Sequence, residues 1–308
     1  MEASKANRAD RLTTGACHST YVTAPDGLRL HVREYGSSQP NVLPIVCLPG
    51  LARTAADFEP LATALAGDRD NARRVLALDY RGRGRSDYDR NASNYMLAVE
   101  LNDLMAVLTA LGIGPSVFVG TSRGGILTML LAVARPTAIA GVVLNDIGPV
   151  IEPKGLLRIK SYVGKLPAPK SFEEGAEILQ RLFDAQFPKL DREAWLAAAR
   201  RMWEVRDGRL VTTYDVNLAQ TLKGLDPGQP VPALWKEFDA LARVPVMAIR
   251  GANSDLLSGA TVEAMRARRP DLETIVVPDQ GHAPLLAEPD IVRRIAAFVE
   301  RCEKARRG

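Results

Sequence analysis

A serine at a glycine-flanked turn is the residue of this chain best suited to chemistry. The segment GTSRGG, residues 120–125, follows an apolar run and precedes a helical pattern. Glycines on both sides of Ser122 remove side chains that would clash in a sharp strand-to-helix turn, and the start of a helix directs free N–H groups at an anion. We predict that Ser122 is a nucleophile; a tight turn with a surface serine is the alternative.

A serine hydroxyl needs a base that removes its proton, and His282 is the candidate. Of the three histidines, His18 lies in a polar N-terminal stretch and His31 in a strand pattern, whereas His282 follows the last predicted strand. The carboxyl ends of parallel strands share one edge of a sheet, and that edge hosts the ligand crevice. His282 and Ser122 are therefore predicted to face the same crevice.

The base in turn needs an acid that fixes its tautomer. Asp255 follows the strand pattern of residues 244–249, one strand before His282, and is the predicted acid. Asp146 also ends a predicted strand and stays open as the rival. Asp79 ends an earlier strand and is interpreted as a residue that anchors its loop.

Acyl transfer also requires an oxyanion hole, which is usually built from two backbone N–H groups. The first is predicted to belong to Arg123, the residue after the nucleophile. The second is predicted to belong to Leu51, in the segment LPGL at residues 48–51. A simple strand exit would also explain the proline and glycine of that segment.

These residues require elements that bring strand ends together. A hairpin is predicted for residues 21–35 around a Pro-Asp-Gly turn. Buried strand patterns follow at residues 42–48, 75–78, 117–119, 139–144, 244–249 and 274–277. Helical patterns occupy residues 97–111, 124–134, 263–269 and 289–301, and Ser93 is the predicted cap of the first of these. The alternation predicts an α/β fold with a mostly parallel central sheet flanked by helices.

The alternation stops between residues 149 and 243, where helical patterns occur at 172–187, 191–205 and 232–241 and no strand pattern is convincing. We predict a helical cap, or lid, at 149–243, a core domain at 19–148 and 244–308, and a flexible tail at 1–18. The cap contains all three tryptophans, which either line a pocket or pack the cap onto the core: Trp195, Trp203 and Trp235.

Together these residues resemble the α/β-hydrolase superfamily, in its serine esterase and lipase-like branch with a helical cap. The resemblance covers about residues 20–305, and Ser122, Asp255 and His282 occur in the family's order of nucleophile, acid and base. The segment at residues 78–86, LDYRGRGRS, is similar to the loop that many members carry before the nucleophile. The resemblance implies a Ser-His-Asp acyl transfer without a cofactor.

Two positions depart from the family pattern. The oxyanion segment has Pro49 before Gly50 where many members have histidine, and Arg123 replaces a neutral residue. Neither change removes the backbone N–H of Leu51 or of Arg123, the two predicted donors. The side chain of Arg123 either brings a charge to the pocket or turns outward to pair with a carboxylate. A serine nucleophile is unlike the aspartate of haloalkane dehalogenases and epoxide hydrolases.

Composition limits the partners. The net charge is +4 among 308 residues, and the densest basic run, at residues 81–85, alternates with glycine and lacks aromatic neighbours. We therefore expect a small-molecule, ester-like substrate, no nucleic acid and no membrane. The three cysteines are widely spaced and form no metal-ligand cluster, so no metal and a cytoplasmic location are expected.

The predicted function is a serine hydrolase that cleaves a carboxylic ester through an acyl-enzyme on Ser122. A carbon–carbon bond hydrolase or a lactonase on the same triad is an alternative that motifs do not separate. A hydrolase-like ligand receptor is the alternative from another class.

Overall fold

The computed structural model describes residues 17–68, 71–224 and 231–307, and within them ten strands form two sheets. The large sheet contains β1 (Cys17–Thr23), β2 (Arg29–Tyr35), β3 (Ile45–Leu48), β4 (Val75–Leu78), β5 (Ser116–Thr121), β6 (Ile139–Asn145), β9 (Val246–Gly251) and β10 (Glu273–Val277). The small sheet contains β7 (Trp203–Arg206) and β8 (Arg209–Thr212). The order in the large sheet is β1-β2-β4-β3-β5-β6-β9-β10.

Only the first two strand pairs of this order, β1 with β2 and β2 with β4, are antiparallel; the others are parallel. The predicted hairpin and the mostly parallel sheet are therefore confirmed. The order places β5, β6, β9 and β10 side by side, so the loops that follow these four strands meet at one edge.

The helices connect the strands and cover both faces of the sheet. They are α1 (Glu59–Ala66), α2 (Leu97–Ala110), α3 (Arg123–Ala134), α4 (Pro153–Tyr162), α5 (Phe172–Phe183), α6 (Arg192–Met202), α7 (Trp235–Asp239), α8 (Gly259–Arg268) and α9 (Pro289–Arg307). Ser93 does not cap α2, because α2 begins after Met96 and Ser93 lies in a separate short 3-10 turn whose cap is Asn91.

Two apolar cores lie on opposite faces of the sheet. Phe118 of β5 packs into the core that α2 and α3 cover, whereas its neighbours Val117 and Val119 pack into the core that α1 and α9 cover. Both faces of the strand are thus buried, which explains its continuous apolar run. Complete burial of a side chain such as Phe118 contributes about 1.5–3 kcal/mol to the stability of the fold.

The segment at residues 149–243, called the insert below, contributes no strand to the large sheet within its described part. Helices α5, α6 and α7 confirm the three predicted helical patterns with shorter bounds. The prediction missed α4 and the hairpin of β7 and β8. Four-residue strands with exposed positions carry too little periodicity to be recognised.

The predicted tail, residues 1–18, lies almost wholly outside the described residues. Its last two residues do not belong to a tail, because β1 begins at Cys17 and pairs with β2 from there.

Candidate active site

Ser122 stands at a strained turn between β5 and α3. Its backbone has φ 51° and ψ −115°, a conformation that is unfavourable for a residue with a side chain. The flanking glycines are required by close approach: a Cβ on Gly120 would lie 2.5 Å from the Gly125 nitrogen, and one on Gly124 would lie 2.0 Å from the Leu48 oxygen. The tight contact between strand and helix presents the serine side chain above the sheet edge.

His282 follows β10 and reaches back to Ser122. Its Nε2 lies 2.9 Å from Ser122 Oγ, and its Nδ1 lies 2.8 Å from Asp146 Oδ2. Because an ionised carboxylate only accepts hydrogen bonds, Nδ1–H donates to Asp146 and Nε2 is left to accept from the serine hydroxyl. The structure thus brings Ser122 and His282 together, and the hydroxyl proton has a direct path to the imidazole.

Asp146 directly follows β6 and is completely buried. Its φ of 54° lies in the left-handed region, which aspartate tolerates better than most residues. Besides the contact with His282, Oδ1 accepts from the Gly251 N–H at 2.8 Å, and Oδ2 accepts from Ser254 Oγ at 2.6 Å. Three donors therefore hold this carboxylate against the imidazole.

The predicted acid, Asp255, is not the hydrogen-bond partner of His282, and this prediction is wrong. Both of its carboxylate oxygens accept from Arg158 of α4, at 2.7 and 2.8 Å. Burial raises the pKa of Asp255, but the hydrogen bonds and charge of Arg158 outweigh burial and hold that pKa below its usual value. Arg158 therefore determines which of the two aspartates is left to pair with His282. It lies in α4, a helix that the sequence analysis did not detect.

Two further side chains hold the His282 loop, and the sequence carried no signal for either. Asn145 Nδ2 donates to Thr121 Oγ1 and to the Pro284 carbonyl, both at 3.1 Å. Gln186 of the insert accepts from the His282 N–H at 3.0 Å through Oε1. The position of the imidazole therefore depends on the neighbouring strand end and on the insert.

The two predicted oxyanion donors flank the serine. Among the backbone hydrogen bonds of the described residues, the N–H groups of Leu51 and Arg123 have no acceptor. A Cβ on Gly50 would lie 3.8 Å from Ser122 Cβ, so the loop that contains Leu51 rests against the serine. This arrangement leaves two free donors at a turn where negative charge could develop.

A buried ion network lies behind both donors. Arg83 Nε donates to the Leu51 carbonyl at 2.9 Å, and Arg83 Nη1 lies 2.7 Å from Glu100 Oε1. Arg123 Nε donates to the other oxygen of Glu100 at 2.6 Å. The side chain of Arg123 therefore pairs with a carboxylate, which was one of the two predicted outcomes. Glu100 links the segment of one donor to the residue of the other.

A cavity of about 200 Å³ opens beside Ser122 and His282. Most of its wall is apolar, and the insert contributes Ile159, Phe183 and Met202 to it. None of the three tryptophans lines this cavity in the described part of the chain; Trp195 and Trp203 are buried in the core. Trp235 is partly buried and packs against the same core, so the three tryptophans pack the insert and do not line this cavity.

A comparison with known families matches residues 45–295 to the sequence profile of the alpha/beta hydrolase family. The chain belongs to this family. The predicted resemblance and fold are thereby confirmed, and the chain is a hydrolase.

The similar proteins are hydrolases as well. The 3-hydroxybutyrate-oligomer hydrolase of Cupriavidus necator is 36% identical over 275 residues, which are 86% of this chain and 91% of the relative. The 2-(acetamidomethylene)succinate hydrolase of Mesorhizobium japonicum is 28% identical and covers 89% of this chain and 92% of its own length. A crystal structure of an alpha/beta hydrolase from Novosphingobium aromaticivorans superposes with a TM-score of 0.86 at 42% identity, covering 92% of this chain and 98% of the other.

This α/β hydrolase contains a second Ser-His-Asp chain. His31 Nδ1 lies 2.7 Å from Asp79 Oδ2, and His31 Nε2 lies 2.9 Å from Ser19 Oγ. Asp79 Oδ1 also accepts from the Ala55 N–H at 2.7 Å, in agreement with its interpretation as a loop anchor. Ser19 lies within the edge strand β1 rather than at a strand-to-helix turn. Hydrogen-bond order alone therefore does not define an active site in this hydrolase.

Two further features concern metal binding and membrane insertion. Within residues 17–68, 71–224 and 231–307, no group of three or more His, Cys, Asp or Glu side chains is arranged to hold a metal ion. In the same parts of the hydrolase, no helix combines the length and the apolar character that crossing a bilayer requires.

Proposed function

We propose that this hydrolase cleaves short carboxylic esters through an acyl-enzyme on Ser122. The observation that carries the proposal is the hydrogen-bonded chain from Ser122 through His282 to Asp146 at the wall of a small apolar cavity. A nucleophile, a base and an orienting acid in contact are the arrangement that acyl transfer needs.

In the first half-reaction, Ser122 Oγ attacks the ester carbonyl while His282 Nε2 takes the hydroxyl proton. The carbonyl oxygen becomes an oxyanion that the N–H groups of Leu51 and Arg123 stabilise. When the carbon–oxygen bond to the alcohol breaks, His282 returns the proton to the departing oxygen. Asp146 keeps the ring in its tautomer and stabilises the imidazolium.

In the second half-reaction, water replaces the alcohol. His282 takes a proton from this water, the resulting nucleophile attacks the acyl carbon, and the ester bond to Ser122 breaks. The proton returns to Ser122 Oγ, and the product is a carboxylic acid. No cofactor enters either half of this proposed cycle.

The cavity supports a small substrate. Its volume of about 200 Å³ is below the range of about 300–1,000 Å³ that is typical of pockets for drug-sized ligands. The relative from Cupriavidus necator is named for 3-hydroxybutyrate oligomers, which are esters of a short hydroxy acid. We therefore propose esters with short acyl chains as the substrate class.

The insert, residues 149–243, is proposed to be the lid of this site on a core formed by residues 19–148 and 244–308. It supplies part of the cavity wall, it contacts the His282 loop through Gln186, and its Arg158 pairs with Asp255 of the core. Contacts of this kind let one segment both shape the pocket and restrict the entry of water.

The experiment is hydrolysis of p-nitrophenyl esters from acetate to decanoate, with Ser122→Ala and Ser19→Ala as matched variants. We expect turnover to be highest for acetate to butyrate and to fall at least about 10³-fold in Ser122→Ala. Ser19→Ala removes the equivalent hydroxyl of the second Ser-His-Asp chain and is expected to keep its activity within about twofold of the native protein. An equal loss in both variants, or none in Ser122→Ala, would refute the nucleophile assignment.

The same esters, together with a vinylogous diketone and a lactone, separate the alternatives. A carbon–carbon bond hydrolase or a lactonase would leave these esters intact and release products from a vinylogous diketone or a lactone. A ligand receptor would turn over none of them, and its melting temperature would rise with its ligand.

A further inference from the structure

Two arginines face the apolar cavity that contains Ser122. Arg53 lies in the loop after β3 and Arg201 in α6 of the insert, and both line the cavity together with Asp57. Arg53 donates to both oxygens of Asp57, each at 2.6 Å, and Arg201 Nε lies 3.3 Å from Asp57 Oδ1. Two guanidinium groups thus share one carboxylate, and the cluster has an excess of one positive charge.

The arginines keep donors that the protein does not use. Arg53 Nη1 and the two terminal nitrogens of Arg201 have no hydrogen-bond acceptor among the described residues, whereas Asp57 is already engaged by the fork of Arg53. Burial lowers the pKa of Arg201, Asp57 raises it and Arg53 lowers it, and the net direction is down. The side chains of Arg53 and Arg201 are 30% and 25% exposed, and both line the cavity, so their unused donors are open to an anionic group of a bound substrate.

The arginine pair lies close to the nucleophile. A Cβ on Gly50 would be 3.4 Å from Arg53 Cγ and 3.8 Å from Ser122 Cβ, so Arg53 and Ser122 border the same glycine. Arg53, Arg201 and Ser122 line one cavity, so a single small ligand could place an anionic group at the arginines and a carbonyl carbon at Ser122.

We propose that Arg53 and Arg201 form a carboxylate subsite, so that the substrates are short esters with a carboxylate on the acyl or the alcohol side. Planar guanidinium groups bind a carboxylate through paired N–H donors. The apolar wall orients the remainder of the ester. This inference rests on the proposed function, since it assigns a substrate class to the same site.

The test compares esters that differ only in charge. Monomethyl glutarate and methyl 4-carbamoylbutanoate carry a carboxylate and an amide on the acyl side, and 3-acetoxybutyrate and 3-acetoxybutyramide do so on the alcohol side. Release of methanol or acetate gives kcat/KM for each. In at least one pair we expect the carboxylate ester to exceed the amide at least about tenfold, the effect of a charge-assisted hydrogen bond.

Variants show whether the arginine pair causes this preference. In Arg201→Gln the ratio of the two kcat/KM values is expected to fall to within about twofold, and Arg201→Lys is expected to keep part of it because it retains the charge. The matched control is Arg200→Gln, which removes an exposed charge from the adjacent position of α6. It is expected to leave the ratio at the native value.

The outcomes distinguish the subsite from its alternatives. If Arg201 only ties the insert to Asp57, Arg201→Gln lowers the rates for both esters equally, and the subsite proposal fails. If the native enzyme cleaves the amide and the carboxylate equally well, the subsite fails while the proposed hydrolase stands.

A binding measurement removes the dependence on catalysis. Glutarate is titrated calorimetrically into Ser122→Ala and into the double variant with Arg201→Gln. Binding that requires Arg201 supports the subsite even if no ester is hydrolysed. Glutarate binding that is absent from Ser122→Ala, or that is unchanged by Arg201→Gln, would overturn it.

Discussion

Two aspartates end neighbouring strands of this sheet, and their partners separate their roles. Asp146, after β6, accepts from His282, Ser254 and the Gly251 N–H, whereas Asp255, after β9, is paired with Arg158. A carboxylate that is held by an arginine fork is neutralised by a strong partner. Arg158 therefore engages Asp255, and Asp146 is the aspartate that pairs with His282.

We expect Asp146→Asn to lower kcat for p-nitrophenyl acetate by about 10³-fold or more, because the amide neither fixes the tautomer of His282 nor stabilises the imidazolium. The matched variant is Asp255→Asn, which changes the neighbouring strand end and should lower kcat by less than about tenfold. Steady-state kinetics of both variants check the ranking. The reverse ranking would restore Asp255 as the acid.

At the scale of elements, one buried glutamate connects the pieces around the proposed oxyanion hole. Glu100 of α2 pairs with Arg83, whose Nε holds the Leu51 carbonyl, and with Arg123 at the start of α3. Burial raises the pKa of Glu100, but the charges of Arg83 and Arg123 outweigh it and keep that pKa below its usual value. Glu100 is thus a charged residue that positions a loop and a helix start relative to each other.

Glu100→Gln keeps the shape of this side chain and removes its charge. Because two arginines would lose their buried partner, we expect the free energy of unfolding to fall by about 3–5 kcal/mol. Glu263→Gln, at an exposed pair with Arg266, should change it by no more than about 0.5 kcal/mol. Urea denaturation of both variants measures the difference. Equal stability of the two would show that the network contributes little.

At the scale of the whole molecule, carboxylates with lowered pKa values contribute to the loss of stability at low pH. Asp255 and Glu100 have folded-state pKa values below their ordinary values of 3.8 and 4.5. The unfolded chain therefore binds more protons than the folded chain near these values. The contribution of each group is complete above its ordinary pKa and is lost as the pH falls through the folded value.

We accordingly expect the contributions of these two carboxylates to the free energy of unfolding to be complete above about pH 5 and to be lost progressively below about pH 4. Asp255→Asn removes one of the groups responsible and should lose less of its own stability between pH 5 and pH 3. Unfolding curves recorded across this interval test the expectation. Identical pH slopes in the two proteins would show that Asp255 is not a source of the dependence.

The described part of the molecule does not test two other predictions. The expected cytoplasmic location and the expected absence of nucleic-acid binding stay predictions. The family match supports a small-molecule substrate, because the chain is a hydrolase.

The strands of the large sheet, the helices of the core and the turn at Ser122 were predictable because their signals are local. Buried strands appear as continuous apolar runs, helices as stripes of period 3.6, and the turn as glycines at fixed offsets from the serine. The position of His282 followed from one global rule, that the ends of parallel strands share an edge. These local patterns and this one rule were therefore sufficient to predict the fold class and the pairing of Ser122 with His282.

Contacts in the folded chain determine which aspartate faces His282, where the Arg123 side chain points and which charges line the cavity. Each depends on a contact between segments far apart in the chain: Arg158 with Asp255, Glu100 with Arg123, and Arg201 with Asp57. Charged side chains have no periodicity that reveals their partners, because a partner is chosen by packing rather than by spacing. The insert contributes two of these three contacts. The pattern of residues along the chain does not show how the insert packs on the core, and so it does not reveal these contacts.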